Sequence, residues 1–322
     1  MKFRHTFHVF VDNFSVTYKH LLYRLVVSLI AIGLCIAVII PFINGLTSSP
    51  DFASFTEGLK TFLNNLLSGN VSELAQASEQ IKNSFSALKV LISDNISNIV
   101  WGIVAVSCIR LVEKFFTGLG NYAAAAVIND KMALRANSPF FVTLIRNLKQ
   151  ACLYNLMYVP LSFVYDTLCW TGMYFLIFRL FSKVSVIYLP LKIFIYATAI
   201  VILIAVKMTF TTDWLPSLIR GKKGQKQAFI YTFDRKNKNT FNILSNFVVL
   251  ILIIFAVNVA GIICTLGVAA LLTIPSSYLI LLCFEFVNYY DREELKYFVD
   301  RNTIVKPAKE HPVTREEFFK GE

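Results

Sequence analysis

The chain of 322 residues is 56% hydrophobic and 14% aromatic but only 16% charged, against roughly a quarter charged in an average soluble domain. That leaves too little charge to clothe a soluble globule, and residues 241–284 contain no Asp, Glu, Lys or Arg at all. A net charge of +11 would fit a nucleic-acid binder, but the 31 Lys and Arg fall between apolar runs, so no nucleic-acid partner is expected and the fold class is all-α, a polytopic transmembrane helical bundle.

In chain order, residues 1–20 form a cytoplasmic amphipathic interfacial helix, with Phe3, Phe7, Phe10, Val11, Phe14 and Tyr18 on one face and Lys2, Arg4, Asp12 and Lys19 around the rest. About six spans come after it, at 21–43, 98–116, 152–178, 186–208, 242–263 and 268–290, each near the length needed to cross about 30 Å of hydrocarbon. The first has no small-residue cleavage site after it and reads as a retained anchor. Arg110, Glu113 and Lys114 crowd the end of the second, and Pro160 sits inside the third.

Residues 44–97 read as an extracytoplasmic helical hairpin. Leu59, Phe62, Leu63, Leu66 and Leu67 make one stripe, Gly69-Asn70 breaks it, Ser72 caps the second helix, and Ile81, Phe85, Leu88 and Ile92 make that helix's stripe. The cytoplasmic loop 117–151 holds an amphipathic helix opened by Ser138-Pro139, with Phe140, Phe141, Leu144, Ile145 and Leu148 apolar and Arg146 and Lys149 polar. The basic cytoplasmic loop 209–241 holds another, with Phe229, Ile230 and Phe233 beside Arg235, Lys236 and Lys238. The cytoplasmic tail, 291–322, is nearly neutral; Pro307 and Pro312 break it, and Thr314 with Glu317 fits a capping box.

With the N-terminus inside, 25 basic residues lie in cytoplasmic segments and 6 elsewhere, so both termini are expected in the cytoplasm of a cell, most simply a bacterial one, with anionic inner-leaflet lipids as partners. A shift of 89 residues aligns Phe140 with Phe229, Thr143 with Thr232, Arg146 with Arg235, Lys149 with Lys238, Val159 with Val248 and Leu161 with Leu250. Three copies of one unit, an interfacial helix followed by a transmembrane hairpin, would give that pattern. So would the aromatic and basic character of any cytoplasmic segment entering a span.

Ionisable groups inside spans are costly and mark candidate polar sites. Asp166 falls near the middle of the third span, Lys192 some seven residues into the fourth, and Glu285 about one turn from the inner end of the sixth, while Asn155 and Asn258 are the other strongly polar groups. Asp166 and Lys192 differ by about 10 Å in depth, so Asp166 is expected to bond nearby Tyr, Ser or Asn groups, with a proton or cation pathway as the alternative.

No cofactor or metal is expected. His5, His8, His20 and His311 all lie outside the spans, and His5 and His8 lack a third ligand. The six cysteines, Cys35, Cys108, Cys152, Cys169, Cys264 and Cys283, sit in apolar stretches with no Cys-x-x-Cys among them. No hydrolase or nucleotide motif occurs, and Gly118-Leu119-Gly120 lacks a third glycine and a preceding strand. An enzyme is therefore not expected.

The run Ala123 to Ala126 within Tyr122 to Asn137 faintly resembles the coupling loop of ABC-transporter permeases, without that loop's acidic residue and following glycine. The whole layout, with its closing run from Tyr289-Tyr290 through Tyr297-Phe298-Val299-Asp300 to Ile304-Val305, resembles uncharacterised six-helix membrane proteins of low-GC Gram-positive bacteria, the YesL-like group among them. That resemblance implies an accessory or assembly role. The expectation is a non-enzymatic scaffold or accessory subunit of a membrane complex, meeting a membrane protein partner through residues 44–97; the alternative is a secondary transporter or channel for a small solute with Asp166 in its pathway.

Overall fold

The computed structural model describes residues 2–68, 78–79, 82–83, 86, 93, 96–134, 136–176, 189–233, 240–299 and 303–305. The second stripe of the expected outer hairpin, its Gly69-Asn70 break and Ser72, the basic run Arg235 to Lys238, and Pro307, Pro312, Thr314 and Glu317 lie outside these residues. The fold is helical, in chain order α1 (Lys2–Asp12), α2 (Phe14–Thr47), α3 (Pro50–Ser68), α4 (Ile96–Leu134), α5 (Phe140–Arg146), α6 (Leu148–Phe175), α7 (Leu189–Thr211), α8 (Trp214–Ile219), α9 (Gln225–Phe233), α10 (Thr240–Cys264) and α11 (Ala270–Arg292), closed by strands β1 (Tyr297–Phe298) and β2 (Ile304–Val305). The strands pair antiparallel, Tyr297 opposite Val305 and Phe298 opposite Ile304.

Four stretches among the described residues are long and apolar enough to cross a membrane: Phe14–Gly45, Leu191–Ile219, Thr240–Cys264 and Ala270–Arg292. The segments 98–116 and 152–178 are not in that set. Arg110, Glu113 and Lys114 shorten the apolar part of α4, and Asn155, Pro160 and Asp166 dilute that of α6. The loop expected at 117–151 is also shorter than its boundaries: α4 continues to Leu134, because Ala123 to Ala126 are strong helix formers and no proline intervenes before Pro139.

The chain divides into two compact units, Met1–Leu25 with Phe115–Glu322, and Val26–Lys114. In the smaller, Ser28 Oγ donates to Glu113 Oε1 at 2.9 Å, and Arg110 pairs with the other carboxylate oxygen at 2.6 Å. Ser28, Ala31 and Cys35 recur at helical spacing, and the last two are buried while Leu29, Ile30, Ile32, Leu34 and Ile36 are exposed.

In the larger unit, burial is gathered at one end of each long helix. Buried residues gather in the second halves of α4, α7 and α11, but in the first turns of α2 and the first halves of α6 and α10, with Met173 of α6 and Ala31 and Cys35 of α2 among those outside this pattern. Antiparallel alternation puts these ends together. Gly118 to Ile128 of α4 and Phe284 to Tyr290 of α11 are enclosed almost continuously, as expected of helices surrounded on all sides. The alanine run lies at the heart of this core, where small side chains let neighbouring helices approach, and its burial removes the likeness to an exposed coupling loop. Gly118 and Gly120 have the same role: a Cβ at Gly118 would collide with the Asn155 amide, and one at Gly120 with the Tyr23 ring.

The short helices expected at the interface join the core as well. Helix α1 lies along α11, with Phe3 stacked on Phe284 at 5.5 Å and Lys2 Nζ donating to Asn288 at 3.1 Å. Breaks of the same kind separate α1 from α2 and α5 from α6, at Asn13 and Asn147, whose side-chain amides donate to the carbonyls of Val9 and Thr143 four residues back. Thr143 and Thr232, aligned by the 89-residue shift, are both buried, whereas Leu161 is exposed and Leu250 buried.

Candidate functional site

The expected site residues fall in separate places. Asp166 of α6 forms an ion pair with Lys207 of α7, Nζ to Oδ1 2.7 Å, with Ser162 Oγ at 3.5 Å from its other oxygen. Lys192 sits on α7 fifteen residues from Lys207, about 22 Å along the helix axis. Asp166 therefore stands level with the last turns of α7, because the first turns of α6 are spent inside the core. Asn258 of α10 donates from Nδ2 to Ser277 Oγ of α11 at 2.8 Å. Glu285 of α11 is buried within electrostatic reach of Tyr158 and Tyr278. These groups bind helix to helix: α6 to α7, and α10 to α11. Tyr165 adds to the first seam by donating to the Leu203 carbonyl at 2.7 Å.

Two polar arrangements escaped the sequence reading. In one, Arg292 at the end of α11 pairs with the fully buried Asp213 at 2.6 Å and donates to the Tyr231 hydroxyl at 2.6 Å. Tyr231 in turn bonds Glu293, and Lys223 lies 3.2 Å over its ring. Burial and the Glu293 carboxylate hold the Tyr231 phenol above its ordinary range, so it stays a hydroxyl at neutral pH. This network ties α8 and α9 to the end of α11. Its sequence signal was a lone Asp and an Arg in a charged run, 79 residues apart and each flanking an apolar segment, which hydropathy alone does not pair.

The other is a cleft of about 310 Å³ lined by α4, α5, the start of α6 and the α8–α9 turn. Tyr122, at its wall, donates to Gln150 at 3.1 Å, and burial pushes its phenol up to about 12. Asn129 accepts from the buried Tyr290 at 3.0 Å. Asp130 accepts from Ser138 at 2.6 Å and from Arg146 at 3.0 Å. Arg220 lies 5.5 Å over the Tyr290 ring, and Lys222 adopts a left-handed backbone, φ +48°. Among the described residues, three cations thus line the cleft against one carboxylate.

His5 is drawn into the core's edge. Its Nδ1 lies 3.0 Å from the Tyr297 hydroxyl, which donates to Asp291 at 2.9 Å. His20 is buried, stacked on Tyr278 at 5.3 Å and bonded to Asn121 at 2.9 Å. Among the described residues, no group of three or more His, Cys, Asp or Glu is placed to hold a metal ion. No family model, curated protein or solved structure matches the chain.

Proposed function

We propose that this protein is a non-enzymatic scaffold or accessory subunit of a membrane complex in a bacterial cell membrane, crossing it six times with both termini in the cytoplasm. The observation that carries this reading is the Asp166–Lys207 pair. A carboxylate compensated by a neighbouring ammonium serves as a helix-to-helix tie, and breaking such a pair leaves an uncompensated charge in an apolar setting. Asn258 with Ser277 is a second tie of the same kind. The exposed surfaces of the long helices are apolar side chains, suited to lipid and to the helices of another membrane protein. Residues 44–97 are the surface assigned to that partner, and the basic loops to anionic lipid.

The test is purification in mild detergent from the native membrane, with mass spectrometry of what accompanies the protein. A stoichiometric membrane protein that is retained by the Asp166→Asn variant is the expected result. A protein recovered alone, whose reconstituted vesicles carry a solute flux abolished by Asp166→Asn, would replace the scaffold with a transporter.

A further inference from the structure

We propose that the cleft between α4, α5, α6 and the α8–α9 turn is a binding site for the phosphate of an anionic phospholipid headgroup. Arg146, Arg220 and Lys222 converge on it, and Asn147 and Gln150 add amide groups at its mouth. Asp130 is the one carboxylate in the lining among the described residues, and it is already engaged by Ser138 and Arg146, which fixes the Arg146 guanidinium at the rim. Arg220 is held by the Tyr290 ring, and among the described residues neither Arg220 nor Lys222 is matched by a carboxylate. Lys222, on the turn between α8 and α9, completes the rim with an exposed ammonium, its backbone in the left-handed region at φ +48°.

The choice of a lipid over a soluble phosphate comes from what surrounds the cleft. On α5, Phe140 and Thr143 face the core while Phe141, Val142 and Ile145 are exposed, and Leu134 and Leu148 beside them are exposed too; Ile145 is 74% and Leu134 72% exposed. An apolar edge adjoining a cationic hollow matches the division of a phospholipid into acyl chains and an anionic headgroup. The inference deepens the proposed lipid partnership and rests on this end of the helices meeting the inner leaflet. That orientation is read separately, by labelling a Lys149→Cys variant with a membrane-impermeant maleimide in intact cells.

The experiment is native mass spectrometry of the full chain in detergent micelles, titrated with phosphatidylglycerol, with phosphatidylcholine, and with glycerol 3-phosphate. Phosphatidylglycerol should be retained, with affinity at least tenfold lower in an Arg146→Gln/Lys222→Gln variant and unchanged in an Arg4→Gln/Lys226→Gln variant that loses the same charge on exposed residues elsewhere. Lys222→Gln alone, a substitution at an exposed side chain, should give about a threefold loss and serves if the double variant fails to fold. Equal losses in the two double variants, or no loss in the first, would overturn the site. Glycerol 3-phosphate bound as tightly as the lipid, with the same dependence on Arg146 and Lys222, would overturn the lipid assignment in favour of a soluble phosphate ester.

Discussion

Within the larger unit, the two ends of the long helices differ in kind. At one end, α4 and α11 are enclosed by α1, α5, α8 and α9, and the interior mixes Tyr122, Tyr154, Trp214 and Tyr290 with Asn155, Asp213 and Asn129. At the other, α7, α10 and the first turns of α11 present Ile193, Phe194, Phe255, Ile263 and Leu271 outward. The first end buries polar side chains among aromatic ones, some of them bonded, as Asp213 is to Arg292 and Asn129 to Tyr290, and others, such as the Asn155 Oδ1 and the Trp214 indole N–H, without a partner among the described residues. The second leaves an apolar surface uncovered, on helices long and apolar enough to cross a membrane. The two ends thus bury their side chains to different extents, and the cost of a substitution depends on which end receives it.

The largest effect is expected at Trp214, buried against Tyr154, Tyr158 and Phe229 with ring separations of 5.3, 6.0 and 5.1 Å. Trp214→Ala should cost about 4 kcal/mol, measured as loss of folded protein in a denaturing-detergent titration. A loss below about 1 kcal/mol would mean that the enclosed end is not a packed core. A sharper comparison lies within α10, where Leu250 is buried and Leu252, two residues on, is exposed. Leu250→Ala should cost about 3 kcal/mol and Leu252→Ala under about 0.5 kcal/mol in the same titration. Equal values would erase the distinction between the faces.

The smallest effect concerns pH. Burial lowers the His5 pKa below its ordinary 6.5, opposed by Asp291 and assisted by Arg4 and His8. A folded-state pKa below the unfolded one means that the neutral ring is favoured by folding, so the contribution of His5 is whole above about pH 6.5 and shrinks as pH falls through and below it. Helix α1 should become more accessible to protease between about pH 7.5 and 5.5, and a His5→Gln variant should lose that pH dependence. An unchanged pH response in the variant would assign it to other groups.

The sequence was most legible where the physics is local. Continuous apolar runs such as Thr240–Cys264 and the helical spacing of Phe3, Phe7 and Phe10 need no partner to be recognised. Depth was not legible in the same way. Asp166 was placed by counting from Cys152, but α6 spends its first turns in the core, and only the fold reveals that Lys207, near the end of α7, is the residue at its level. The cleft draws on residues from Tyr122 to Lys222, and no window of the sequence contains them. The role of Gly118 and Gly120, room for Asn155 and Tyr23, resides in other helices and leaves no local signal.

The enclosure of α11 has a temporal side. Lys2 bonds Asn288 across 286 residues, and His5 reaches Tyr297 across 292. Helix α11 is synthesised more than 250 residues after α1, so α1 has no seat until α11 has emerged. During the interval its phenylalanines lack the apolar host that Phe284 later supplies. The amphipathic face of α1 therefore has two lives, one before its docking site exists and one against it.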